Sequence, residues 1–277
     1  MSVQTQNSNP TDDSIHIVIP KHPRVPWFKR RKAAEEWMRS SFPSINCDFS
    51  GCALEVLNFM LRRFSDLIEE FPEMIGRIRL VRVGKFYRHP NAEKAARQMM
   101  RNAEQCDVEG NFEDAEMHRS WADNALSYRK SLAWAIPDLG ILEFNSRYFA
   151  KPMKLFLMLS AGEEAGYYPK SCWRDDYLMT HEFAHLIQYW LASCSDRISF
   201  RGQTGTAGRL FLKWHDSLPL KSAVSGRGTH SCSEFFAEAF ASAYHSPEPE
   251  PVAIEVKQVV DEFVEKIRSS RLKKGET

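Results

Sequence analysis

The stretch Asp175–Ala192, DDYLMTHEFAHLIQYWLA, decides how this chain folds around its most reactive residues. Leu178, Phe183, Leu186, Ile187, Trp190 and Leu191 recur at the spacing of an amphipathic helix. Asp175 and Asp176 fall in its first turn, where acids favour a helix start. On such a helix His181 and His185 lie one turn apart on one face, so both imidazoles can bind a single metal ion. Glu182 is rotated by about 100° from His181, where its carboxylate can reach a water held by that ion.

The pattern H-E-x-x-H is that of zinc-dependent hydrolases, in which three protein ligands and one open position are usual. The residues that follow do not supply the third ligand. A short extension needs His at 189 or 191, where the chain has Tyr189 and Leu191, and the glycine of the longer pattern falls on Gln188. His215, Asp196 and Asp216 are isolated polar residues without a helical pattern and read as loop or surface groups. The better source is Ser233–Phe240, SEFFAEAF. Ser231 or Ser233 can cap a helix that runs to about Tyr244, with Pro247, Pro249 and Pro251 stopping it. Glu234 and Glu238 are spaced i, i+4 and share a face, while Phe235, Phe236, Ala239 and Phe240 bury the others. Two carboxylates turned toward an apolar interior are costly without a cation, and a metal supplies one.

His181-Glu-Phe-Ala-His185 and Glu234-Phe-Phe-Ala-Glu238-Ala-Phe are separated by 48 residues, with His245-Ser246 close behind. The pair resembles the gluzincin metallopeptidases, and within them the lethal factor type of catalytic domain, which occurs in bacterial toxins and phage genomes. The resemblance covers about residues 139 to 246. It implies a zincin-like α+β fold, mostly helical with a small mixed sheet. It also implies one Zn2+ held by His181, His185 and Glu234, with Glu182 as general base. Glu238 takes the role of an outer carboxylate that orients a ligand histidine.

In that family a tyrosine stands seven residues before the glutamate ligand and serves the oxyanion or the leaving group. Here that position is Arg227. A guanidinium can stabilise an oxyanion but keeps its proton, whereas His230, three residues on, can do either. The implied function is a zinc metalloendopeptidase acting on a protein or peptide substrate. The alternative is a catalytically weak or inactive zincin-fold protein of phage or mobile-element origin with a structural or binding role, and Arg227 is the feature that favours it. Zincins bind substrate in extended form along an edge strand beside the active-site helix. Residues 140–144 are the candidate for that strand, with Asn145, Tyr148, Tyr167 and Tyr168 as candidate cleft residues.

Composition bounds the remainder. A chain of 277 residues, 43% hydrophobic and 26% charged, has the makeup of a globular protein able to bury a sizeable core. A net charge of +1 makes no electrostatic case for nucleic acid or an anionic membrane. Met1–Asp13 is polar, without the apolar segment of a signal peptide, and no run approaches the roughly 20 apolar residues of a membrane span. Cysteines 47, 52, 106, 172, 194 and 232 lack C-x-x-C spacing, so reduced thiols and a cytoplasmic location are expected. The oligomeric state is open.

Residues 1–30 are expected to form a flexible N-terminal segment, with 14–20 able to form a short strand and 21–32 a basic linker. Residues 31–277 form one domain. Leu54–Phe71 reads as a helix, Ile78–Val83 as a strand, and Met153–Leu159 as a helix by the resemblance. Residues 91–134 read as an inserted αα hairpin that turns at Asp107–Asn111, a unit that can select a substrate, dock a partner or simply pack on the core.

Overall fold

Four short strands frame the molecule in the computed structural model, which describes residues 25–86, 92–111, 114–115, 118–119, 122, 131–172, 176–195, 205–217 and 224–273. They are β1 (Asn46–Asp48), β2 (Leu80–Gly84), β3 (Ala133–Ile136) and β4 (Ile141–Asn145), ordered β1-β2-β4-β3. β1, β2 and β4 run parallel, and β3 is antiparallel to β4. Parallel neighbours need a crossover, and α2 (Leu54–Glu70) lies in the one between β1 and β2. The β3–β4 connection is tight instead, a single 3-10 turn at Pro137–Leu139 that ends on Gly140. Gly140 has φ +66°, and a Cβ there would collide with the carbonyl of Arg77, so this turn requires glycine.

The other helices are α1 (Arg31–Ser41), α3 (Ala92–Val108), α4 (Ser146–Phe149), α5 (Pro152–Glu164), α6 (Tyr177–Ser195), α7 (Thr206–Ser217), α8 (Cys232–His245) and α9 (Pro251–Lys273). The chain is thus mostly helical with a small mixed sheet, an α+β architecture. The helices expected over 54–71, 153–159 and 175–192, the capped helix ending near Tyr244, and the strands near 78–83 and 140–144 are all present within a few residues of their expected bounds.

Several expectations are corrected. The proposed edge strand at 140–144 is β4, which is flanked by β2 and β3; the edge strand is β3, which packs against α6. The hairpin expected over 91–134 takes in Ala133 and Trp134 and so misses the start of β3, because a four-residue strand with two alanines carries little β signal. The first half of that hairpin is α3, turning at Gly110 (φ +76°), and most of the second half lies outside the described residues. So does the strand expected at 14–20. His215 and Asp216, read as loop, belong to α7, while Asp196 lies outside the described residues. Pro251 does more than stop a helix, since it opens α9, where its missing N–H costs nothing.

α6 and α8 are the centre of the core. α6 buries Tyr177, Leu178, Met179, Phe183, Ala184 and Ile187, and α8 buries every residue from Phe235 to Ser242. A helix apolar almost all round must be covered on all sides. Phe71, at the end of α2, covers both, with its ring 6.2 Å from Phe183 and 6.0 Å from Phe240. Arg63 on α2 bonds Asp176 through Nε and Nη2 (3.3 and 3.2 Å), and Asp176 in turn accepts the Thr180 N–H at the start of α6. Among the described residues no helix is long and apolar enough to cross a membrane. Truncating Phe71 to alanine is expected to cost about 3–5 kcal/mol, measured by urea unfolding; a loss below about 1 kcal/mol would show that the two helices are held without it.

Candidate metal centre

α6 carries His181 and His185 on the side that meets α8, and α8 presents Glu234 to them. The Ser231 hydroxyl starts α8 by accepting the Glu234 N–H (3.1 Å), so Ser231, rather than Ser233, is the cap, and the carboxylate ligand stands in the first turn. One ligand atom from each of His181, His185 and Glu234 lies within 4.8 Å of the others, a spread that one metal ion can bridge. His181 Nε2 is 3.3 Å from Glu234 Oε2, and His185 Nε2 is 3.7 Å from Glu234 Oε1.

The partners behind each imidazole fix which nitrogen faces the centre. Ser233 donates its hydroxyl proton to Gln188 Oε1 (2.7 Å), so toward His185 Nδ1, 3.0 Å away, it can only accept. Nδ1 of His185 therefore carries the proton and Nε2 keeps a lone pair for a metal. His181 Nδ1 faces Glu238 Oε1 at 2.8 Å, which places its proton on that side as well. Glu238 is fully buried, and it accepts the Tyr177 hydroxyl at Oε1 (2.6 Å) and the Ser225 hydroxyl at Oε2 (2.9 Å). Ser225 is held by the Gly228 N–H (3.1 Å). Behind this, Thr180 Oγ1 lies 2.8 Å from His245 Nε2.

The fit to a metal rests on what is left over. Neither nitrogen of the buried His181 makes a hydrogen bond, and Nε2 stands in the position where a ligand nitrogen belongs. Two imidazole nitrogens and a carboxylate oxygen, each held by an outer hydrogen bond or ion pair, suit a divalent ion.

Electrostatics divide the charged groups. Burial presses His185 down, and His181 and Arg227 add to it against Glu234, so its pKa falls to about 3 and the ring is neutral. Burial and Arg227 also press on His181, but Glu238 and the contacts with both glutamates outweigh them and raise it to about 9. Burial alone would raise Glu234, yet Arg227 and the two histidines hold it well below the usual carboxylate range. Glu182 is raised to about 7, first by burial and then by Glu234, against His181, Arg227 and a backbone hydrogen bond from Ala135.

That last contact shows how β3 lies. The Asn145 N–H donates to the Leu132 carbonyl (2.9 Å), and Trp134 and Ile136 are opposite Glu143 and Ile141. The alternation of an antiparallel ladder then turns the N–H and C=O of Ala133 and Ala135 away from β4, toward the side where Glu182 sits. Neither alanine was among the candidate residues, and nothing in their sequence context singles them out.

Arg227 enters from the turn before α8. Its Nε donates to Glu234 Oε2 (2.7 Å) and lies 3.9 Å from Glu238 Oε1, while its guanidinium stands over the Tyr168 ring. Among the described residues no group accepts from its Nη1 or Nη2. Its turn is pinned to the segment before α6 by Gly226 N–H to Gly166 O (2.7 Å) and Arg227 N–H to Tyr167 O (2.9 Å). His230 is not brought to the ligands: it is exposed, with its ring 5.8 Å from that of Tyr167. Tyr168 is half-buried beside Arg227 and Tyr167 is exposed. Asn145 and Tyr148 are buried, and Asn145 caps α4. No family model, curated protein or solved structure matches this chain.

Two outcomes follow from the histidine partners. A metal must displace the proton that His181 holds at pH 7 and none from His185, so binding should release about one proton and tighten as pH rises toward 9. Calorimetry in buffers of different ionisation enthalpy measures this, and no buffer dependence would contradict a protonated His181. Ser233→Ala removes the acceptor that sets the His185 tautomer and should weaken metal binding about 10–100-fold in chelator competition; an unchanged affinity would deny Ser233 that role.

Proposed function

We propose that this protein is a zinc-dependent metallopeptidase of zincin-like fold. The observation that carries the proposal is the convergence of His181, His185 and Glu234 beside a buried Glu182, with the outer edge of β3 alongside. In this reading those three residues hold the zinc and leave the fourth position of a tetrahedral set open. Bound there, zinc supplies a Lewis acid for the scissile carbonyl and brings the pKa of a bound water toward about 7.

The chain's own groups do the rest. Glu182, raised to about 7, accepts a proton from the attacking water and returns it to the leaving amine as the carbon–nitrogen bond breaks. Arg227 cannot pass a proton, but its unpaired Nη1 and Nη2 can stabilise negative charge on the carbonyl oxygen. The outward N–H of Ala133 and the C=O groups of Ala133 and Ala135 suit an extended peptide, added as a further strand beside Glu182, which the Ala135 N–H already holds. All six cysteines remain thiols, which fits work in a reducing, cytoplasmic compartment.

One observation favours a second reading, a zincin-fold binding protein without turnover. Arg227 bonds the carboxylate that would ligate the ion and so competes with it for charge. Glu182→Gln decides between them, because it leaves all three ligands in place. In cleavage mapping over a whole proteome the variant is expected to keep its zinc and lose at least about 100-fold in rate. Identical cleavage patterns from the two zinc-loaded proteins, or purified protein that takes up no zinc, would overturn the peptidase reading.

A further inference from the structure

β3 does not stop beside Glu182; it leads away from it along α6. The Ala135 N–H reaches the Glu182 carboxylate, and the chain continues into the Pro137–Leu139 turn, which packs against the same helix. Its direction along α6 is given by Arg77. Gly140, which closes the turn, lies against the carbonyl of Arg77, and the Arg77 guanidinium stands 5.3 Å from the centre of the Trp190 ring. Trp190 is two turns beyond Glu182, so the strand and its turn run from Glu182 toward the carboxyl end of α6.

Tyr189 lies on this path. Seven positions bring a helix back to within about 20° of the same face, so Tyr189 leaves α6 on the side from which Glu182 meets β3. Every other large apolar side chain of α6 is buried, whereas Tyr189 is 40% exposed, and Leu139, the last residue of the turn alongside, is 52% exposed. An extended peptide added to the outer edge of β3 passes both. From the level of Glu182 to that of Tyr189 is about 10.5 Å along the helix. A strand covers roughly 3.4 Å per residue, so the peptide residue arriving there is about the third from the bond at Glu182. A phenol ring and an isobutyl group, both open to solvent, are matched by an apolar side chain that removes them from water.

We propose that Tyr189 and Leu139 form a specificity subsite, which selects peptides with an apolar side chain about three residues from the bond that is cut. The position of that bond rests on the peptidase reading. The subsite itself rests on the course of β3 along α6 and on the two exposed side chains.

A library of random peptides tests this in two ways. Digested by the zinc-loaded protein, it should show Leu, Ile, Met or Phe enriched about tenfold at one position about three residues from the cut. Tyr189→Glu and Leu139→Glu should each remove that enrichment and favour Lys or Arg at the same position, a gain that a misfolded protein cannot give. Panned on the zinc-loaded Glu182→Gln protein, the library should yield bound peptides with an apolar residue, and adding Tyr189→Glu should abolish that selection. Binding that depends on Tyr189 without any cleavage would keep the subsite and overturn turnover alone. Cleavage whose preferences neither substitution moves would overturn the subsite and leave the peptidase reading standing, as would panning that selects no apolar residue. Neither cleavage nor apolar selection would overturn both.

Discussion

The packing of α6 against α8 is the constraint on which the rest of the structure depends. It is the most extensive contact between any two described elements. It must bury aromatic side chains and, in the same interface, two histidines and two glutamates. Burying such groups without partners would cost several kcal/mol each. Each is therefore matched. Glu238 receives two hydroxyls and the His181 imidazole, Glu234 receives Arg227, and His185 leans on Ser233. Neither His181 nitrogen makes a hydrogen bond, and a metal ion held with His185 and Glu234 would satisfy Nε2.

Arg227 gives the centre a character of its own. A guanidinium is a permanent charge, so the turn that carries it must be held where its field is balanced. Two backbone hydrogen bonds to Gly166 and Tyr167 fix that turn, and both carboxylates of α8 lie near the guanidinium. Arg227 thereby offsets the charge of the Glu234 and Glu238 carboxylates. The cost is competition, because Arg227 and an incoming cation both draw on Glu234.

How much was legible in advance depended on how local the signal is. Helical spacing marks His181 and His185, and separately Glu234 and Glu238, because positions four apart share a face whatever surrounds them. Gln188 and Ser233 were within the same reach: one is a turn beyond His185 and the other adjoins Glu234, yet polar residues at such positions are commonplace. β3 was illegible for a physical reason. Ala133 and Ala135 have little strand preference, and they form a strand because β4 offers a ladder that Gly140 turns back to meet. His230 was misjudged because sequence distance from Arg227 says nothing about which way a turn points.

The sequence by itself determined the chemistry available: two imidazoles and two carboxylates at helical spacing, on segments apolar enough to be buried. It also offered the start and stop of α8, at Ser231 or Ser233 and at Pro247, since these are set by neighbouring residues. Only the tertiary structure decided that the two helices bring His181, His185 and Glu234 together, that Ser233 and Glu238 face the histidine Nδ1 atoms, and that β3 rather than β4 is the edge strand against α6. Those outcomes follow from contacts between residues tens of positions apart. No local preference encodes such contacts, and they appear only when burial of the apolar faces forces the segments together.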